Sequence, residues 1–188
     1  KSAVFSNFIA SLAEELHKQN KRLTVVVETP AKVGASWSTG GYDWRAIGAS
    51  ADFVEIPLGD NPTAYGDGTA DEMLAWAVGE VSRQKVLLAT SALSMDSVAG
   101  GYAPIGWEQA LAQFGQVTLP SATQPITPGQ TVALSLSGTV QTLIYDEQAG
   151  ADRLQYIAPD DQIHTAWLTD SGTLLNRFAL VTRYHLGG

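Results

Sequence analysis

The chain has 188 residues, no cysteine and a formal net charge of −8. That length suffices for one domain with a real core. The absent cysteines exclude disulfides and thiolate metal sites, and the acidic balance argues against nucleic acid and anionic membrane surfaces as partners.

The first half reads as alternating helix and strand. Phe5, Phe8, Ile9, Leu12 and Leu16 recur at helical spacing, with Glu14, Glu15, Lys18 and Gln19 opposite, and Ser6 stands as N-cap. Leu23 to Glu28 is a β-branched run suited to a buried parallel strand. A Gly/Ser/Pro-rich loop, 29–41, holds Trp37. A short helix around 43–49 leads to a second strand, Phe53-Val-Glu-Ile56, and pairing is expected to stop at Pro57, which has no amide hydrogen. A third helix spans 69–83, and a third strand Lys85-Val-Leu-Leu-Ala89. This order predicts parallel βα units. Ligands of such sheets sit beyond the C-terminal strand ends, where Asp60 falls.

The second half changes character. A short helix over 107–114 precedes a loop, 119–130, that holds three of the eight prolines. Short β-prone runs follow at 131–136, 140–145, 153–157 and 163–168, separated by turn signals at Ser137-Gly138, Ala149 to Asp152 and Pro159-Asp-Asp161. A last helix, 173–184, is expected to turn Leu174, Leu175, Phe178 and Val181 inward. No apolar run approaches the roughly 18 residues of a membrane span. The expected organisation is βα units over 1–104, an inserted antiparallel subdomain over 105–168 and a final helix over 169–188. No signal peptide is read, and the start at Lys1 leads to the expectation that an upstream part has been removed or left out.

Several local patterns then resemble glycoside hydrolase family 18, in its bacterial spore-cortex and LysM-associated branch. Lys21-Arg-Leu-Thr-Val-Val-Val27 resembles the family's entry into its fifth barrel strand. Tyr42-Asp43-Trp44 through Ala51-Asp52-Phe53-Val54 resembles the run into the sixth, and Lys85 to Ala89 the seventh. Ile105-Gly-Trp107-Glu108-Gln-Ala110 resembles the helix of the insertion after it. His164-Thr-Ala-Trp167-Leu-Thr-Asp170 resembles the returning strand, with Thr173, Arg177 and Leu186-Gly-Gly188 resembling the following helix. The resemblance implies an α/β fold: a partial (β/α)8 TIM barrel, about strands five to seven, with a small antiparallel α+β insertion before the last helix.

It also implies a chemistry this chain lacks in part. The family's D-x-x-D-x-D-x-E run supplies the general acid, and the substrate's own acetamido group is the nucleophile. No segment here reads that way, so the chain is expected to begin after the fourth strand, to end before the eighth, and to be inactive alone. The family's Met-x-Tyr-Asp on the sixth strand is represented by Ile56 or Pro57, Leu58, Gly59 and Asp60. Asp60 matches the Asp and is the expected catalytic residue. Gly59 replaces the Tyr, and loss of one preorganised donor costs about 10²–10³ in rate elsewhere. The alternative for Asp60 is a turn residue in Gly-Asp-Asn-Pro.

Glu28, Trp37, Tyr65 and Tyr102 are the expected substrate-binding residues: a strand-end carboxylate, and aromatic faces that stack on sugar rings. Solvation and core packing are their respective alternatives. Asp160, Asp161 and His164 invite a metal reading, but in a strand Asp161 and His164 fall on opposite faces, so no metal and no cofactor is expected. His17 and His185 read as helix C-terminal residues. The expected partners are a polysaccharide and either the missing half of the barrel or a second copy of the chain, in an extracellular or cell-envelope setting. Enzyme and non-catalytic carbohydrate-binding module both remain open from sequence.

Overall fold

The computed structural model describes residues 2–59, 61–113, 115–118, 135–137 and 142–188. The chain divides into two compact units, Lys1–Gly59 with Asp67–Thr90 and Arg177–Gly188, and Asp60–Gly66 with Ser91–Asn176.

In the first unit, α1 (Ser2–Lys18) buries Ile9 and Ala13 but leaves Phe8 58% exposed. Ser6 is not an N-cap: the helix starts four residues earlier, and Ser6 is a buried interior residue. Strand β1 (Thr24–Val26) follows, then β2 (Ala31–Val33) and β3 (Ser36–Ser38). β2 and β3 pair antiparallel where a loop is expected from sequence, turning at Gly34 with φ of +61°. The runs are only three residues long, too short to show alternation. Helix α2 (Trp44–Ser50) is capped by Asp43, whose carboxylate accepts the Ala46 amide at 3.0 Å. Strand β4 (Phe53–Pro57), helix α3 (Thr69–Glu80) and strand β5 (Val86–Ala89) complete the βα run.

β1, β4 and β5 form a parallel three-stranded sheet in that order. The ladder reaches Pro57, one residue beyond expectation. Pro57 stands opposite Ala89, the next amide, Leu58, donates to the Ala89 carbonyl at 2.8 Å, and the Pro57 carbonyl accepts from Thr29 Oγ1 at 2.6 Å. Proline forfeits only its donor, and none is needed there.

Burial on this sheet is one-sided. Val25, Val27, Val54, Ile56, Val86 and Leu88 are buried, on the side where α2 and α3 bury Ile47, Leu74 and Ala77. Each such aliphatic contributes about 1.5–3 kcal/mol. The alternate residues do not match them: Thr24, Val26 and Glu28 are exposed, and Phe53, Glu55, Pro57, Leu87 and Ala89 are half-buried. Parallel sheets are ordinarily covered on both faces. The sheet does not close into a barrel.

The second unit carries β6 (Ser94–Val98), β7 (Gly101–Ile105), α4 (Trp107–Ala112), the paired β8 (Gln116–Thr118) and β9 (Ser135–Ser137), then β10 (Thr142–Asp146), β11 (Ala151–Ile157) and β12 (Ile163–Trp167). Its five-stranded antiparallel sheet runs β10-β11-β12-β6-β7. β10, β11 and β12 fall on β-prone runs. β6 and β7 escape sequence reading, because Ser, Asp, Gly and Pro104 dilute their pattern, and the edge position of β7 tolerates the proline. Ala110 and Leu111 of α4 pack with Leu154, Ala166 and Leu168 as a core.

Helix α5 (Ser171–Tyr184) is the last helix, and residues 185–188 follow it. Its buried stripe is Thr173, Arg177 and Leu180, whereas Leu175 is 69% and Phe178 46% exposed. This corrects the inward face expected from the apolar residues. The polar pair is accommodated by hydrogen bonds: Thr173 Oγ1 donates to the Leu168 carbonyl at 3.2 Å, and Arg177 Nη1 to Thr90 Oγ1 at 3.4 Å.

Candidate functional site

The C-terminal ends of β1, β4 and β5 bring Glu28, Gly59 and Thr90 to one end of the parallel sheet. Thr29 fastens the first two strand ends through its bond to the Pro57 carbonyl. Glu28 is exposed and lines a pocket with Phe5, Val25, Val26, Val27, Tyr42 and Ile47. The Phe5 and Tyr42 rings meet edge-on at 5.0 Å, so this pocket has an aromatic wall beside a carboxylate.

Among the described residues, a Cβ built at Gly59 meets no atom within 4 Å, and its backbone is outside the left-handed region. Neither strain nor packing therefore dictates glycine. Asp60 lies outside the described residues.

Trp37 sits on β3, half-buried, with its ring stacked on Trp76 of α3 at 6.3 Å. Trp76 in turn meets Trp44 at 5.1 Å. The hairpin is thus held to the helix by an offset aromatic row, fortified by an ion pair between Lys32 and Glu72. Trp37 does not line the Glu28 pocket.

Tyr65 and Tyr102 belong to the second unit. Tyr65 ends a 3-10 turn, Pro62–Tyr65, and is half-buried. Tyr102 on β7 is 37% exposed, its ring 6.0 Å from Trp167. Trp167 is buried and donates its indole N–H to Asp146 at 3.0 Å. Burial alone would raise the Asp146 carboxyl, but the Trp167 indole, the Ala149 and Gln148 amides and the Arg153 charge outweigh it and hold it low. A charged anchor therefore fixes the ring on which Tyr102 rests.

Sequence reasoning missed Glu55. It lies on the less buried face of the sheet, in register between Val26 and Leu87. The signal was present: a Glu inside a parallel strand contradicts burial on both faces, and alternation places Phe53, Glu55 and Pro57 together. No group of three or more His, Asp or Glu among the described residues is arranged to hold a metal.

Known structures share this architecture over the whole chain. A chitinase from Chromobacterium violaceum superposes with a TM-score of 0.72 and 26% identity, covering 100% of this chain and 55% of that one. The fold is that of part of a glycoside hydrolase family 18 barrel. A family 18 N-acetylglucosaminidase from Paenibacillus barengoltzii matches with a TM-score of 0.61 at 15% identity, over 100% of this chain and 57% of that one. The spore cortex-lytic enzyme SleL of Bacillus megaterium matches at 0.64 and 17%, over 100% and 41%. The chain thus spans about half the length of the family 18 structures it matches. No protein-family profile matches the sequence. No curated protein matches it either. In this fold β1, β4 and β5 represent about the fifth to seventh barrel strands, and the five-stranded sheet is the insertion before the last helix.

Proposed function

We propose that this chain is the C-terminal portion of a family 18-like glycoside hydrolase acting on polysaccharide that contains N-acetylglucosamine, of the peptidoglycan or chitin type. The structural likeness to chitinases, an N-acetylglucosaminidase and a cortex-lytic enzyme carries this reading. Asp60 is the catalytic residue this chain would contribute, and Glu28, Trp37, Tyr65 and Tyr102 the sugar-binding ones. The general acid lies in none of its segments. On this reading the chain binds the sugar chain and does not cleave it unaided. The setting is extracellular or the cell envelope, where such polysaccharides occur; no helix among the described residues is long and apolar enough to cross a membrane.

The one-sided burial of the parallel sheet supports a partner that covers it: the complementary half of the barrel, or a second copy of this chain. The exposed Val26 and the half-buried Glu55 define the face involved.

A second reading, a non-catalytic carbohydrate-binding module of the same fold, is favoured by Gly59. Space for a side chain is there, yet the residue that supports the acetamido group in the family's pattern is missing. Calorimetric titration with N-acetylglucosamine oligomers tests the binding common to both readings. Saturable heat that weakens about tenfold in Tyr102→Ala supports it; absence of binding sinks it. Supplying the complementary barrel half separates the two readings, since only the first then gains turnover.

A further inference from the structure

In the second unit a histidine stands between two carboxylates, apart from every site residue above. His164 on β12 places Nδ1 2.6 Å from Asp96 Oδ2 on β6. Its Nε2 lies 3.5 Å from Asp160 Oδ2, in the turn that joins β11 to β12. The Tyr156 hydroxyl, from β11, is 3.4 Å from Nδ1. Asp96, Asp160 and Tyr156 are the titratable groups that face the ring among the described residues. The His164 and Asp96 side chains are 12% and 13% exposed, Asp160 47%.

A neutral imidazole carries one N–H, an imidazolium two. Two carboxylates on opposite nitrogens are both satisfied only by the imidazolium. On deprotonation one nitrogen must present a lone pair to an anion. The proton stays on Nδ1, toward the half-buried Asp96, because orphaning that carboxylate costs more than orphaning the exposed Asp160. Asp160 then faces a bare Nε2 and moves into water at small cost.

We propose that His164 is a proton-operated latch, holding the 158–162 turn when protonated and releasing it when neutral. The turn's own bonds make Asp160 a lever on it. Its Oδ1 accepts the Gln162 amide at 3.0 Å, while the Asp161 amide donates to the Ala158 carbonyl at 2.9 Å, with Asp161 at a φ of +60°. The Asp96 bond raises the His164 pKa above its ordinary value, burial opposes, and Asp160 adds to the rise. The sign follows. A raised folded pKa gives stability that is complete below the unfolded value of about 6.5 and lost as pH rises through the folded one.

The test is NMR on the full chain from pH 5 to 9, following the His164 ring nitrogens and the exchange protection of the Asp161 and Gln162 amides, corrected for intrinsic exchange. Expected is loss of the Nε2 proton with Nδ1–H retained, and a fall in protection of about threefold over the same titration. Asp160→Asn removes the step, because an amide can accept from Nε2–H or donate to bare Nε2. Asp160→Ala gives low protection at every pH. Protection that is flat through the His164 titration in the wild type, or a step that survives in Asp160→Asn, overturns the proposal.

Discussion

Leu88 donates its amide hydrogen to the carbonyl of Gly188 at 2.8 Å, while Gly187 donates to the Val86 carbonyl at 2.9 Å. Residues 187 and 188 therefore run beside β5 and satisfy part of its outer edge. A Cβ on Gly187 would strike the Gln84 carbonyl oxygen, a backbone atom that has no rotamer to change. Gly187→Ala is expected to lower stability by about 1–3 kcal/mol, read as a shift in the urea midpoint.

One-sided burial of the parallel sheet predicts unequal costs for similar truncations. Ile56 is 0% exposed, and Ile56→Ala should cost about 2–5 kcal/mol. Val26, on the same sheet, is 61% exposed, and Val26→Ala should fall within about 0.5 kcal/mol. Equilibrium unfolding of the two variants checks this. Equal losses would mean that Val26 is covered by a partner in solution.

The space at Gly59 makes a constructive prediction. With nothing among the described residues within 4 Å of a built Cβ, Gly59→Tyr should fold with stability within about 0.5 kcal/mol of the parent. Thermal denaturation of the variant measures it; a large loss would show that the strand end requires glycine.

Asp52 links the end of α1 to the entry of β4. It accepts from His17 Nε2 at 2.9 Å and from the Leu23 amide at 2.8 Å. The His17 bond first, and then the Leu23 amide, hold its carboxyl below the ordinary range. A depressed folded pKa gives stability present above the unfolded value of about 3.9 and lost as pH falls through the folded one. Asp52→Asn should therefore lower the neutral plateau of a stability–pH curve and flatten its acid limb, with the two curves converging below about pH 4. Denaturant titrations at a series of pH values give the comparison.

The parallel strands were legible because compact β-branched or apolar runs of four residues announce themselves, as Thr24-Val-Val-Val27 and Val86-Leu-Leu-Ala89 do. Their order and spacing also carried the family resemblance. The hairpin at 31–38 and the β6–β7 pair were not legible: three-residue strands and Ser/Gly/Pro-diluted strands have no period to read. Helix α5 misled, because its apolar residues imply an inward face that Thr173 and Arg177 occupy instead. Residue types gave Glu28 and Tyr102 as candidates, and their surroundings came only with the fold. The pairing of Asp96 with His164 spans 68 positions, a separation at which local pattern says nothing; it is set by the antiparallel neighbours β12 and β6.

Incubation of the chain with a chromogenic N-acetylglucosamine oligomer tests the central claim most directly. A partial family 18 barrel without the general acid is expected to release no chromophore above the buffer rate. Clear turnover by these 188 residues would contradict it.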